Sequence, residues 1–141
     1  MTRALFRLAS IWTAVGLLMG LYYRTITHMN DFTGKTQLSI VHTHTLALGM
    51  LMMLILTGLV AVFNVRDEMF RWGIWVYTAA LAVTTGTMAV RGTMQVLDLG
   101  DPHNAALNGV SGLGHIGLTV ALVMILMSLG KAVKTHAEAT A

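Results

Sequence analysis

The residues best equipped for chemistry are six histidines, at positions 28, 42, 44, 103, 115 and 136, in a chain with no cysteine and only six carboxylates. A neutral imidazole offers one nitrogen lone pair to a metal or haem iron and one N–H to a hydrogen-bond acceptor. Two of them stand two residues apart in Val41–Met50, VHTHTLALGM, near the head of an apolar run from Leu38 to Phe63 without a formal charge. An imidazole in hydrocarbon is costly unless it is paired, ligates a metal or opens to water, so such residues are functional-site candidates by default.

The elements that must hold them are long and apolar. Of 141 residues, 55% are hydrophobic and 11% charged, which is unlike a soluble domain. Four stretches approach the roughly 30 Å of a bilayer core at about 1.5 Å per helical residue. The runs are continuous and not alternating, which argues against a β-barrel. The expectation is an all-α, integral membrane four-helix bundle in one domain, 1–141, with helices at about 4–24, 37–63, 71–96 and 105–131. Large residues at Leu21-Tyr22-Tyr23 make the first helix an uncleaved anchor and not a signal peptide. The tail KTHAEATA is expected to fray.

Charge then orients the bundle. Arg3, Arg7, Arg66, Arg71, Lys131 and Lys134 fall at one end, against Arg24, Lys35 and Arg91 at the other, which predicts both termini in the cytoplasm. This topology accounts for the net charge of +3, and no basic, aromatic-interleaved patch points to nucleic acid. His28, His42, His44, His103 and His115 all come to the extracytoplasmic side, with only His136 opposite.

On an ideal helix His42 and His44 point about 200° apart, so they serve two sites on opposite faces and not one small chelate. The His42 face carries Leu38, Ser39, Leu46 and Gly49. In the last helix Asn108, Ser111, Gly112, His115 and Thr119 make one small, polar face. Small residues beside a histidine allow a flat macrocycle to approach, or equally a neighbouring helix, as do Gly16 and Gly20 in the first helix. Haem b fits two inward imidazoles in a helical bundle, with His42 and His115 as the leading axial pair and His44 free for a second haem. Arg91 and Arg24 stand where its carboxylates would emerge, and Met88 and Met94 are substitute axial ligands. His44 has no evident partner within one chain, which predicts a homo-oligomer, a trimer or dimer with haem near subunit contacts.

Here the residues carry a resemblance. His42-Thr43-His44, with the apolar residues and Gly49 that follow, resembles the H-x-H motif of the haem-copper oxidase catalytic subunit, which implies that His42 binds one haem and His44 another on opposite helix faces. The adjacent His-His pair of a copper site, the tyrosine beside it and the Arg-Arg pair after the H-x-H helix are all missing, so the resemblance does not extend to oxygen reduction. Through VHTHTLALGM and GLGHIGLTVALV the whole chain also resembles a family of small, uncharacterised four-helix bacterial membrane proteins. That implies the architecture alone; the expected location is the bacterial cytoplasmic membrane, with the histidine cluster toward the extracytoplasmic side.

Two other readings stand beside the haem. Eleven methionines, with Met50, Met52 and Met53 below the histidines, suit copper or another transition metal, although methionine also fills gaps in apolar helices. A cofactor-free structural or assembly subunit needs only interhelical hydrogen bonds from its histidines. No complete catalytic constellation is visible. Thr78, Thr84, Thr85 and Thr87 are expected to bond the carbonyl four residues back, and Tyr22, Tyr23, Trp72 and Trp75 to anchor helix ends.

Overall fold

The structure is a computed structural model that describes residues 1–140. It is all-helical, with four helices long and apolar enough to cross a membrane: α1 (Thr2–Met29), α2 (Leu38–Phe63), α3 (Glu68–Leu97) and α4 (Ala105–Thr140). Two helices are longer than the hydropathy pattern suggests. α1 carries His28 in its last turn, where a connection was expected, and α4 runs through the tail to Thr140, where fraying was expected. The tail is rich in alanine, the strongest helix former, and has no glycine or proline to stop the helix, which explains the continuation.

Caps set the ends. Asp67 accepts from the Phe70 N–H at 2.8 Å to start α3, and Asn104 accepts from the Leu107 N–H at 3.0 Å to start α4. Asn64 and Asp98 stop α2 and α3 in the left-handed conformation, each at φ 51°. α2 lacks a side-chain cap and is tied to α3 instead: the Gln37 N–H donates to Gln95 Oε1 and Thr36 Oγ1 to the Gly92 carbonyl, both at 2.8 Å.

α3 is the central helix. It packs along α4 for most of its length, while α2 meets α3 at the far end and α4 near the chain termini; α1 lies on α2, and among the described residues α1 and α4 are not neighbours. The apolar core, built on Trp12, Met53, Leu56, Phe70, Tyr77, Leu81 and Ile125, occupies the half of the bundle nearest the termini. The histidine-bearing half is joined by polar contacts and close glycine approaches. At Gly92 a Cβ would stand 2.4 Å from the Leu38 backbone nitrogen, so Gly92→Ala must push α2 away from α3. The expected cost is about 1–3 kcal/mol, read as a lowered unfolding temperature in detergent. At Gly58, where a Cβ meets nothing within 4 Å, alanine should cost nothing measurable.

Thr78, Thr84, Thr85 and Thr87 of α3 donate to the carbonyls four residues back, at 2.7–2.9 Å, as expected. Trp72 and Trp75 are exposed, and the Tyr22 hydroxyl shares a 3.0 Å hydrogen bond with Thr93.

Candidate functional site

Immediately below His44 the α-helical register of α2 gives way to a π-helical segment, Thr45–Leu51, seen for example in the Met52 N–H bond to the Ala47 carbonyl. Such widened turns occur often at functional sites, and they alter which side chains share a face. Tertiary contacts hold this one open. Trp12 lies where a Gly49 Cβ would be, at 2.5 Å, Leu46 fills the space beside Gly16, and the buried Tyr77 hydroxyl donates to the Leu48 carbonyl at 2.9 Å. Gly49, expected on a cofactor-facing surface, is instead covered by the Trp12 ring of α1. An α-helical wheel could not show this, because the π segment is set by residues on other helices.

The two histidines of α2 differ in setting. His42 is half-buried on the α1 side, its Cβ 3.6 Å from where a Gly20 Cβ would stand, and its Nδ1 is buried without a hydrogen-bond partner. His44 is half-buried, with Nδ1 3.0 Å from the Ile40 carbonyl. A carbonyl can only accept, so Nδ1 carries the proton in that bond and, in the neutral ring, Nε2 keeps the lone pair.

His115 repeats this arrangement on α4. It is exposed, and its Nδ1 donates to the Ser111 carbonyl at 2.8 Å. Its flanking glycines have separate roles. Gly114 packs on Thr84, and Gly117 on Ala80, which lets α4 approach α3 closely. Gly112 faces open space, with nothing within 4 Å of a built Cβ. Asn108, Gly112, His115 and Thr119 are all exposed, so the polar face foreseen from their spacing lies outside the bundle and not within it.

α3 serves as a ruler for depth. Gly92 lies against Leu38 and Thr84 against Gly114, and these two levels, eight residues apart on α3, differ by about 12 Å. Measured from Leu38 along parallel axes, His42 is about 6 Å down, His44 about 9 Å and His115 about 13.5 Å. His44 and His115 therefore differ in depth by less than one helical turn. The histidine half of α2 does not neighbour α4, and His42 turns toward α1, so one chain does not bring His42 and His115 together across an interhelical space.

Arg91 is the unusual charge. Only 9% of it is exposed, its Nη2 donates to Asn108 Oδ1 at 2.7 Å, and its Nε is buried without a partner. Among the described residues the ion pairs are Arg71 with Glu68 and Lys134 with Glu138, so no carboxylate balances Arg91. Asn108 lies seven residues before His115, on the same face of α4 and about 10.5 Å along it. Arg24 is exposed on α1 and shares a surface groove with His28 and Asp31. Met88 is buried and Met94 half-buried on α3.

Among the described residues no three histidine, aspartate or glutamate side chains form a group able to hold a metal ion. A single-ion site of three histidine or carboxylate ligands is therefore not framed among the described residues of one chain. An externally presented imidazole, supported by its own helix carbonyl, is instead suited to a group that brings most of its own coordination.

Fold and site together define a four-helix protein with membrane-length apolar helices and a histidine-rich end. A family model described as "Protein of unknown function (DUF2871)" matches residues 2–132, and the chain belongs to that family. This agrees with the expectation of a small uncharacterised family. No curated protein and no solved structure matches the chain.

Proposed function

We propose that this is a b-type haem-binding integral protein of the bacterial cytoplasmic membrane, with both termini in the cytoplasm and its histidine end on the extracytoplasmic side. The carrying observation is His115, an exposed imidazole on a membrane-length helix, with Nδ1 satisfied by the Ser111 carbonyl and Nε2 left as the lone-pair nitrogen. In a bilayer that nitrogen needs a partner, and haem iron takes it without further protein ligands. Asn108, about 10.5 Å from His115 along the same face of α4 and bonded to Arg91 of α3, suits the span from a macrocycle's centre to its carboxylates. The buried, unbalanced guanidinium supports an anionic occupant at that level.

His44 is the second axial candidate, at a depth close to that of His115 and with its Nδ1 bonded in the same way. Because the histidine half of α2 does not neighbour α4 within one chain, the haem would sit between copies, in a homo-oligomer. Gly112 leaves space for the ring edge. His42 packs on α1 and supports the site in place of leading it. Bound haem supplies one-electron transfer when both axial positions are filled, and gas binding when one is open.

The test is the absorption spectrum of protein purified from membranes, oxidised, dithionite-reduced, and reduced under carbon monoxide. A Soret band that sharpens on reduction and is insensitive to carbon monoxide is the expected result for a bis-histidine site. Colourless, iron-free protein from haem-replete cells would overturn the proposal.

A further inference from the structure

The end of the bundle opposite the other five histidines holds an open cavity of 520 Å³ between the α2–α3 connection and the last turns of α4. Arg66, Lys131 and His136 line it, together with Thr135 and Ser128. Phe63, Val65 and Ala132 supply its apolar wall. The Ser128 side chain carries the clearest signal. It is 1% exposed, yet its hydroxyl has no hydrogen-bond partner. Every other buried hydroxyl among the described residues, on Thr36, Thr45, Tyr77, Thr84, Thr85 and Thr87, donates to a backbone carbonyl. A buried donor left idle costs about 1–3 kcal/mol unless a ligand takes it up.

The charges lining the cavity beside that hydroxyl are two cations, Arg66 and Lys131, against one acid, Asp67. Arg66 Nε is held by Asn64 Oδ1 at 2.8 Å, which orients the guanidinium and leaves its other nitrogens free. Lys131 is outside the Lys134–Glu138 pair. The one acid in the lining, Asp67, already accepts from the Phe70 N–H through Oδ1. The His136 ring meets Phe63 edge-on at a centroid distance of 5.3 Å, closing the side of the cavity.

We infer that this cavity binds a phosphate-ester oxyanion, and that its source is the headgroup of an anionic glycerophospholipid. Two cations, a buried hydroxyl donor and an apolar wall match a phosphodiester with its acyl chains attached. Its place among the basic residues that end four membrane-length helices puts it at headgroup level. The inference rests on the bilayer part of the proposed function and is independent of the haem.

The experiment uses full-length, delipidated protein in detergent, with unfolding temperature followed during titration by phosphatidylglycerol, by phosphatidylcholine with the same acyl chains, and by inorganic phosphate. Phosphatidylglycerol should raise the unfolding temperature by about 4 °C or more, and phosphatidylcholine should not. The Arg66→Gln/Lys131→Gln double variant should need about tenfold more phosphatidylglycerol for the same shift, with an unchanged lipid-free unfolding temperature. Ser128→Ala should weaken the response in the same direction, since the native hydroxyl donates to nothing in the protein. Equal shifts from both lipids, or variants that respond like the parent, would overturn the site. Inorganic phosphate acting as well as phosphatidylglycerol would overturn the lipid source and support a free phosphate compound. Protein recovered without detergent in the soluble fraction would overturn the bilayer reading instead.

Discussion

His115→Ala should yield a protein that folds, runs as a single species in detergent and has lost its Soret band. The side chain is exposed, so its removal opens no cavity, and Gly114 and Gly117, which fasten α4 to α3, are untouched. Its loss withdraws the one α4 nitrogen positioned for iron, by way of the Nδ1 bond to the Ser111 carbonyl. Loss of an outer-shell partner alone lowers metal affinity by about 10–100-fold, and loss of the ligand should exceed that. His44→Ala should leave a five-coordinate, carbon monoxide-sensitive haem at reduced occupancy. His42→Ala should keep the band, because that ring packs beside Gly20 with a buried, unpartnered Nδ1. His136→Ala, at the opposite end, is the control. The readout is the haem-to-protein absorbance ratio, and full haem retention in His115→Ala would end the assignment.

What the sequence made legible follows from the range of the forces involved. Four helices were readable because uncharged runs such as Leu38–Phe63 need no tertiary information. The threonine back-bonds of α3 and the start of α4 at Asn104 were readable because each is settled within four residues. The π segment was not, because TLALGML contains no local signal for it. Its partners, Trp12, Gly16 and Tyr77, lie on helices before and after it. The same distance in sequence hid the facing of the histidines. The polar face through Asn108 and His115 was visible as a stripe, but whether it pointed into the bundle depended on Gly114 and Gly117 seating the other side of α4 on Thr84 and Ala80. The pairing of His42 with His115 assumed that both looked inward, whereas the fold turns one to α1 and leaves the other outside. The buried Ser128 hydroxyl likewise had no trace in the sequence, where it reads as one small residue in an apolar run.

Arg91 offers a test in which stability and binding should move in opposite directions. Its burial without a carboxylate means that the cofactor-free protein carries a desolvated charge compensated by little more than Asn108. Replacing buried charges by apolar residues of similar volume often stabilises a protein by about 1–4 kcal/mol. Arg91→Met should therefore raise the unfolding temperature of the cofactor-free protein, reduced somewhat by the acceptor lost to Asn108 Oδ1. The same variant should bind haem more weakly. A charge-assisted hydrogen bond contributes about 1.5–3 kcal/mol, which corresponds to about 10–100-fold in affinity. Arg91→Lys keeps the charge but loses the two-pronged donor geometry, so its affinity should fall between the two. If Arg91 only holds α3 to α4, removing it must lower stability and haem retention together, with Arg91→Lys following the same line. A stabilised, haem-poor Arg91→Met protein fits only a guanidinium kept buried for an anion that the chain itself does not supply.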